Sequence, residues 1–317
     1  VRYIIYGAGA VGGTIGARLF EHERNVVLIA RGEHGRALAV NGMRFGTPEG
    51  WQQLMIPVVD HPATLTFAPG DVLILALKSQ DTDAALDALE RVAPADLPIV
   101  CAQNGVENER RALRRFANVY GMCVMMAGVH LEPGVVHVHN TPYSGVCDIG
   151  RYPHGNDDLA SAIAADLRAS QIHSDATDDI MARKYAKLVS NLTNVLEAAT
   201  GRGALSSSLA ERARAEANAV FRAAGIVAKP AIDDRWNNLD FAAVDGVERL
   251  GGSTLQSVAR GATSLEVNDL NGEIVLLGRL HGVATPANQL LQALAIRIVV
   301  ERIAPASLSI ADVERGA

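Results

Sequence analysis

The pattern of apolar and polar positions changes texture once along the chain. Up to about residue 175, short apolar runs of strand length alternate with stretches of helical spacing, which is the pattern of a doubly wound α/β domain. Val1–Tyr6 predicts a strand, Ala10–Glu21 a helix and Val26–Ala30 a second, near-continuous apolar strand, together a βαβ unit. Arg31–Val40 predicts a helix, WQQLMIPVV a strand, and DVLILAL (Asp71–Leu77) a fully apolar strand opened by Pro69–Gly70. Asp81–Val92 predicts a helix, Leu97–Ala102 a strand and Glu107–Phe116 a helix. Val119–Met126 and the alternating GVVHVHN read as strands that extend the same sheet or hang beside it.

From Asp178 the spacing turns helical throughout. DDIMARKYAKLVSNLTNVLEAATG, SLAERARAEANAVFRAAG, the stretch around SLEVNDLNGEIVLLGRLHG and TPANQLLQALAIRIVVERI each carry an apolar face and a nearby Gly or Pro stop. The expected organisation is an α/β Rossmann-type domain over 1–175 and an all-helical domain over 176–317, ending in a loose tail, SIADVERGA.

Composition narrows the partners. A chain of 317 residues suits two domains better than one core. No apolar run approaches the ~20 residues of a membrane helix, and VRYIIYGAG has the form of a strand rather than a signal peptide. Cys101, Cys123 and Cys147 are odd in number, widely spaced and without a CxxC pair, so buried small hydrophobes in a reducing, cytoplasmic compartment are expected. A formal charge of −6 offers no broad positive field for nucleic acid, and no clustered His/Asp/Glu spacing suggests a metal.

The chemistry-bearing residues begin with Gly7-x-Gly9-x-x-Gly12, between a predicted strand and a predicted helix. In that context the first glycine permits the turn, the second lets backbone approach a pyrophosphate and the third lets helix and sheet pack closely. Gly7, Ala8, Gly9, Ala10, Val11 and Gly12 are the expected cofactor-binding loop. Arg31 follows the second strand where an NAD-binding unit usually has an acid, and Glu33 is displaced by two positions. An arginine there suits a 2′-phosphate, so NADPH is the expected cofactor. Lys78 and Asn104–Gly105 end apolar strands, the edge at which open α/β sheets bind ligands. In the helical part, Lys187 and Asn191 stand four apart on one helix face, with apolar Tyr185, Ala186, Leu188 and Val189 around the lysine. A lysine on such a face can have its pKa lowered and donate a proton. His137 and His139 alternate along a strand and His281 precedes a glycine, which fits structural or surface roles. Glu266 and Asn271 precede an apolar helical run, with Ser253 and Thr254 upstream.

GAGAVGG, Arg31, LALK ending at Lys78, QNG at 103–105, K-x-x-x-N at 187–191, STLQS at 253–257 and E-x-x-x-x-N-G at 266–272 together resemble the ketopantoate reductase family, over residues 1 to about 305. The resemblance implies a Rossmann domain joined to a helical one and NADPH-dependent reduction of ketopantoate (2-dehydropantoate) to pantoate, a step in pantothenate and coenzyme A synthesis. It also implies that Lys187 is the general acid, Asn191 the amide beside it and Asn104 an active-site amide. Glu266 then binds the substrate hydroxyl, and Lys78 and Arg31 are cofactor-side basic residues. The chain departs from the family twice. Val195 stands where a second asparagine is common, and Asn194, one position earlier, lies about 100° away around a regular helix, replacing it only if the helix is distorted. The interval from Gln256 to Glu266 is one residue longer than is usual in the family, so either Ser253 or Thr254 could meet the substrate carboxylate. The expected partner is a small 2-oxo acid, with no nucleic acid or membrane, for a monomer or homodimer. A related NADP-dependent reductase of another 2-oxo acid remains an alternative, as does a non-catalytic dinucleotide-binding regulatory protein.

Overall fold

Alternate side chains of a strand leave opposite faces of a sheet, and the first strand of this chain buries both. In the computed structural model, which describes residues 1–230, 233–247 and 249–315, Tyr3 and Ile5 enter one core while Ile4 enters another. That double burial is why the run reads as continuously apolar. The elements of this part are β1 (Arg2–Tyr6), α1 (Ala10–Glu21), β2 (Asn25–Ile29), α2 (Gly32–Asn41), β3 (Met43–Thr47), β4 (Gly50–Leu54), β5 (Val58–Val59), β6 (Asp71–Leu75), α3 (Thr82–Glu90), β7 (Ile99–Cys101), α4 (Asn108–Leu113), β8 (Val119–Met125), β9 (Gly128–Val129), β10 (Val135–Val138), β11 (Asn140–Thr141), β12 (Val146–Arg151) and α5 (Asp158–Ala169).

Among the described residues the main sheet has seven strands in the order β12-β8-β7-β6-β1-β2-β5. All pairs are parallel except β12 with β8. Ile15 and Leu19 of α1 and Ile163 and Leu167 of α5 cover one face, and Leu86 and Leu89 of α3 with Ala112 of α4 cover the other. Strand order reverses between β1 and β6, which makes their carboxyl ends the switch point of the sheet. The GVVHVHN segment is not in that sheet. Its strand, β10, joins β9 and β3 in a smaller sheet of order β4-β3-β10-β9 beside α1.

The expected single strand WQQLMIPVV is two. β4 pairs antiparallel with β3 and β5 pairs parallel with β2, and Pro57 between them has no N–H with which to continue a ladder. Two compact units result: Val1–Gln103 with Glu107–Met181 and the stretch 233–247, and Asn104–Val106 with 182–230 and the chain from Leu250. The expected cut at 175/176 differs from this because the chain comes back after α6 (Ile180–Asn191), α7 (Asn194–Thr200) and α8 (Ser208–Ala224). In the returning stretch, α9 (Asp234–Asn237) carries Arg235, which pairs with Asp148 at 2.8 Å, Asp175 at 2.7 Å and Asp233 at 2.6 Å. Next to it β13 (Asp240–Phe241) pairs with β11.

The second unit continues with α10 (Ser253–Ala259), α11 (Asn271–His281), α12 (Pro286–Val300) and α13 (Ile310–Arg315). Its core joins Val195, Leu196 and Ala199 of α7 to Leu209 and Ala213 of α8 and Leu291, Leu294 and Ile298 of α12. The tail expected to be loose is helical over Ile310–Arg315. Ser309 and Asp312 cap each other's backbone N–H groups at 2.9 and 3.2 Å, and Val313 is buried; residues 316–317 lie outside the described residues. No helix among the described residues is long and apolar enough to cross a membrane.

His137, on β10, and His139, just beyond it, are buried with ring centroids 5.0 Å apart, and His137 Nδ1 and His139 Nε2 have no hydrogen-bond partner. Burial, and then the neighbouring His139, push the pKa of His137 down to about 4. The unfolded chain therefore takes up the proton first as pH falls, so stability is lost from about pH 6.5 down through pH 4. His137→Gln is expected to remove about 2–3 kcal/mol of that loss. Urea unfolding midpoints measured at pH 7 and pH 4 would check this, and equal acid sensitivity in both proteins would contradict it.

Candidate active site

In the first unit, the turn from β1 into α1 sits at the switch point. Gly7 has φ +100°, and a Cβ there would lie 2.9 Å from Leu77 N, so the loop after β6 approaches backbone to backbone. At Gly12 a Cβ would lie 2.0 Å from Gly7 O, 2.8 Å from Ala76 Cβ and 2.9 Å from Ile5 Cγ2. Gly9 is different. A Cβ there would meet only His130 Cδ2, at 3.8 Å, and would project into a cleft lined by Gly7–Gly9, Ala30, Arg31, His34, Asp60, Leu77 and His130. Ala10 and Val11 open α1, which has no acidic residue in its first turn and no side-chain cap. Its first N–H groups and positive end are thus suited to an anion. Room at Gly9 together with an uncapped helix end fits the pyrophosphate of a dinucleotide.

His34, on α2, fixes the loop from behind. The Gly134 N–H can only donate, to His34 Nδ1 at 2.9 Å, so Nε2 carries the proton and donates to Ala8 O at 2.8 Å. This imidazole is neutral, and burial lowers its pKa. Arg31 precedes α2 and reaches the carboxylate of Asp81 at 2.8 Å. Lys78, half-buried, precedes the 3-10 turn Ser79–Asp81 rather than an α-helix beginning at Asp81. Buried side chains lock that turn: Asn108 Nδ2 donates to Ser79 Oγ at 3.1 Å, Thr82 Oγ1 to Asn108 Oδ1 at 2.8 Å, and Gln103 Nε2 to Thr82 Oγ1 at 2.7 Å.

In the second unit, Lys187 Nζ donates to Asn104 Oδ1 at 2.8 Å. Gly105, at φ +81°, lets the loop after Asn104 approach the carbonyl of Asp269, where a Cβ would lie 2.8 Å away. Asp269 ends the 3-10 turn Glu266–Asp269, whose first residue, Glu266, is buried. Asn191 follows Lys187 by one helical turn; it is buried, and its Nδ2 has no partner. A buried amide donor without a partner costs free energy that a ligand's oxygen can recover.

The helix expected to run on through Asn194 is broken. α6 ends at Asn191, Thr193 has φ −95° and ψ 1°, and α7 begins at Asn194. The Leu192 carbonyl at the break accepts from Asn271 Nδ2 at 3.0 Å, and the same nitrogen reaches Asn288 Oδ1 at 3.0 Å. Asn288 Nδ2 in turn donates to Glu216 Oε2 at 2.8 Å. The 100° offset of a regular helix therefore does not apply to Asn194, which is half-buried at the head of α7. Ser253, half-buried, and Thr254, buried, open α10, which packs on α7. Gly252 before them lies against the Glu197 carboxylate, where a Cβ would be 2.4 Å from Oε2.

Spacing gave no sign of His34 or of the Ser79–Thr82–Gln103–Asn108 lock, because each joins residues far apart in the chain. The usable signal was a run of small polar side chains directly after an apolar strand, in KSQDT and AQNG.

The family model described as ketopantoate reductase PanE/ApbA matches residues 3–154, and the model of its C-terminal part matches residues 179–298. A 2-dehydropantoate 2-reductase of Pyrococcus horikoshii is 27% identical over 307 residues, covering 93% of this chain and 96% of that protein. The crystal structure of a PanE/ApbA family ketopantoate reductase from Ralstonia eutropha is 28% identical with a TM-score of 0.77, covering 95% of this chain and 99% of that one. A D-mandelate dehydrogenase solved with NADH and anilino(oxo)acetate has a TM-score of 0.79 at 20% identity over 96% of this chain and 99% of that one, a likeness of fold.

Proposed function

This chain belongs to the PanE/ApbA ketopantoate reductase family, and from that membership we propose that it is an NADPH-dependent reductase of the C2 carbonyl of 2-dehydropantoate, yielding pantoate. The observation that carries the reading is Lys187 Nζ against Asn104 Oδ1 at 2.8 Å, with the unpartnered Asn191 Nδ2 one turn along the helix. When bound, the cofactor supplies the hydride. The backbone from Gly7 to Gly12 holds its pyrophosphate at the head of α1, and Arg31 and Lys78 meet its anionic groups. The Lys187 ammonium stabilises the negative charge that grows on the carbonyl oxygen and passes it a proton from Nζ. Asn104, by accepting from Nζ, aims the ammonium. Asn191 and Asn194 donate to substrate oxygens, Glu266 accepts from the substrate hydroxyl, and Ser253 or Thr254 donates to the carboxylate.

A second reading is a related reductase of another 2-oxo acid. It is favoured by Val195, an apolar side chain 3% exposed in the helical core at the position where the family commonly has an asparagine. Steady-state rates with 2-dehydropantoate and with smaller and bulkier 2-oxo acids, using NADPH and NADH in parallel, test both. The highest kcat/KM is expected with 2-dehydropantoate; a higher value with another acid selects the second reading. Binding of NADPH without turnover of any acid would instead indicate a non-catalytic dinucleotide-binding protein.

A further inference from the structure

Among the described residues, Arg31 supplies the guanidinium that lines the cleft of the first unit, and it is already engaged. Arg31 is 72% exposed and its Nη2 lies 2.8 Å from Asp81 Oδ1. Asp81 is held firmly: it ends the 3-10 turn whose first residue, Ser79, is buried, and it precedes Thr82, which is fully buried. Ser79 and Thr82 are both tied to Asn108. A second carboxylate, Asp60, lines the same cleft. The Arg31 guanidinium at this cleft thus has two carboxylates about it, Asp60 on the lining and Asp81 in direct contact with Arg31.

We propose that Asp81 sets the cofactor preference, by holding Arg31 and opposing the charge of a 2′-phosphate, so that the preference for NADPH over NADH is modest and NADH also serves. The inference rests on the reading of this cleft as a nicotinamide dinucleotide site. A 2′-phosphate carries about −1.5 to −2 charges and must share Arg31 with an anion a few ångströms away. A 2′-hydroxyl is uncharged and can donate a hydrogen bond to a carboxylate instead. Asp81 acts through Arg31, and is in that sense a positioning residue that determines specificity.

Fluorescence titration of the whole protein with NADPH and with NADH, at low and high salt, tests this without recourse to turnover. The unsubstituted protein is expected to bind the two within roughly tenfold of each other. Asp81→Asn is expected to tighten NADPH by roughly tenfold at low salt, leave NADH unchanged or weaker, and make NADPH binding more sensitive to salt. Asp81→Ala should shift the ratio in the same direction, which separates loss of charge from a change of shape. A NADPH-to-NADH affinity ratio that stays within twofold in both variants, with both dinucleotides still binding, overturns the inference alone. Failure of the unsubstituted protein to bind either dinucleotide overturns the reading of the cleft and the inference with it.

Discussion

Replacing Lys187 by alanine is expected to lower turnover by roughly 10²–10⁴-fold, while NADPH affinity stays close to that of the unsubstituted protein. The two effects separate because Lys187 lies in the second unit and the cleft residues lie in the first. Lys187→Gln keeps a hydrogen-bond donor without the charge, and so separates loss of the ammonium from loss of side-chain bulk beside Asn104. Lys187→Arg keeps the positive charge but cannot give up a proton. If the ammonium supplies charge alone, arginine should restore most of the rate; if it supplies the proton, neither variant should. Stopped-flow and steady-state rates with 2-dehydropantoate decide the matter, and a kcat for Lys187→Ala close to the original value would remove Lys187 from the mechanism.

The second large effect comes from two glycines three residues apart that fail in different ways. Gly12→Ala puts a methyl 2.0 Å from the Gly7 carbonyl, with Ala76 and Ile5 closing the other sides. Backbone must move to admit it, and a loss of about 3 kcal/mol of stability is expected. Gly9→Ala meets nothing closer than 3.8 Å, so its unfolding midpoint should stay near that of the unsubstituted protein. Its methyl instead occupies the approach to the uncapped end of α1, and NADPH affinity is expected to fall roughly 10²-fold. Urea denaturation and NADPH titration of the two variants separate the outcomes. Equal destabilisation by both substitutions would mean that Gly9 is there for packing.

Legibility followed the range of the forces involved. β1, α1 and α8 could be read closely because burial imposes a local period on them, and Ser207 and Gly225 punctuate α8 at its ends. The division of WQQLMIPVV is marked in the sequence only by Pro57, and that its two parts join different sheets follows from their partners, β3 and β2. The break at residues 192–193 is hidden for a related reason. LVSNLTNVLEAA keeps an apolar face at helical spacing, and the hydrogen bond that accommodates the break arrives from Asn271, 79 residues away. The return of 233–247 to the first unit combines the ion pairs of Arg235 with the short pairing of β13 on β11, neither of which leaves a periodic apolar trace. Among the candidate residues, Lys187 and Asn191 could be paired from spacing alone. The meeting of Lys187 with Asn104 spans 83 residues and needed the fold.

The junction between α6 and α7 is braced from three other helices, through Asn271 on α11, Asn288 on α12 and Glu216 on α8. It is consequently an elbow set at a fixed angle and not a soft joint. Lys187 and Asn191 ride on one arm of it and Asn194 heads the other. Substitutions at the brace would change the angle between the arms, and with it the aim of Asn194 relative to Lys187 and Asn191, without altering any of those three side chains.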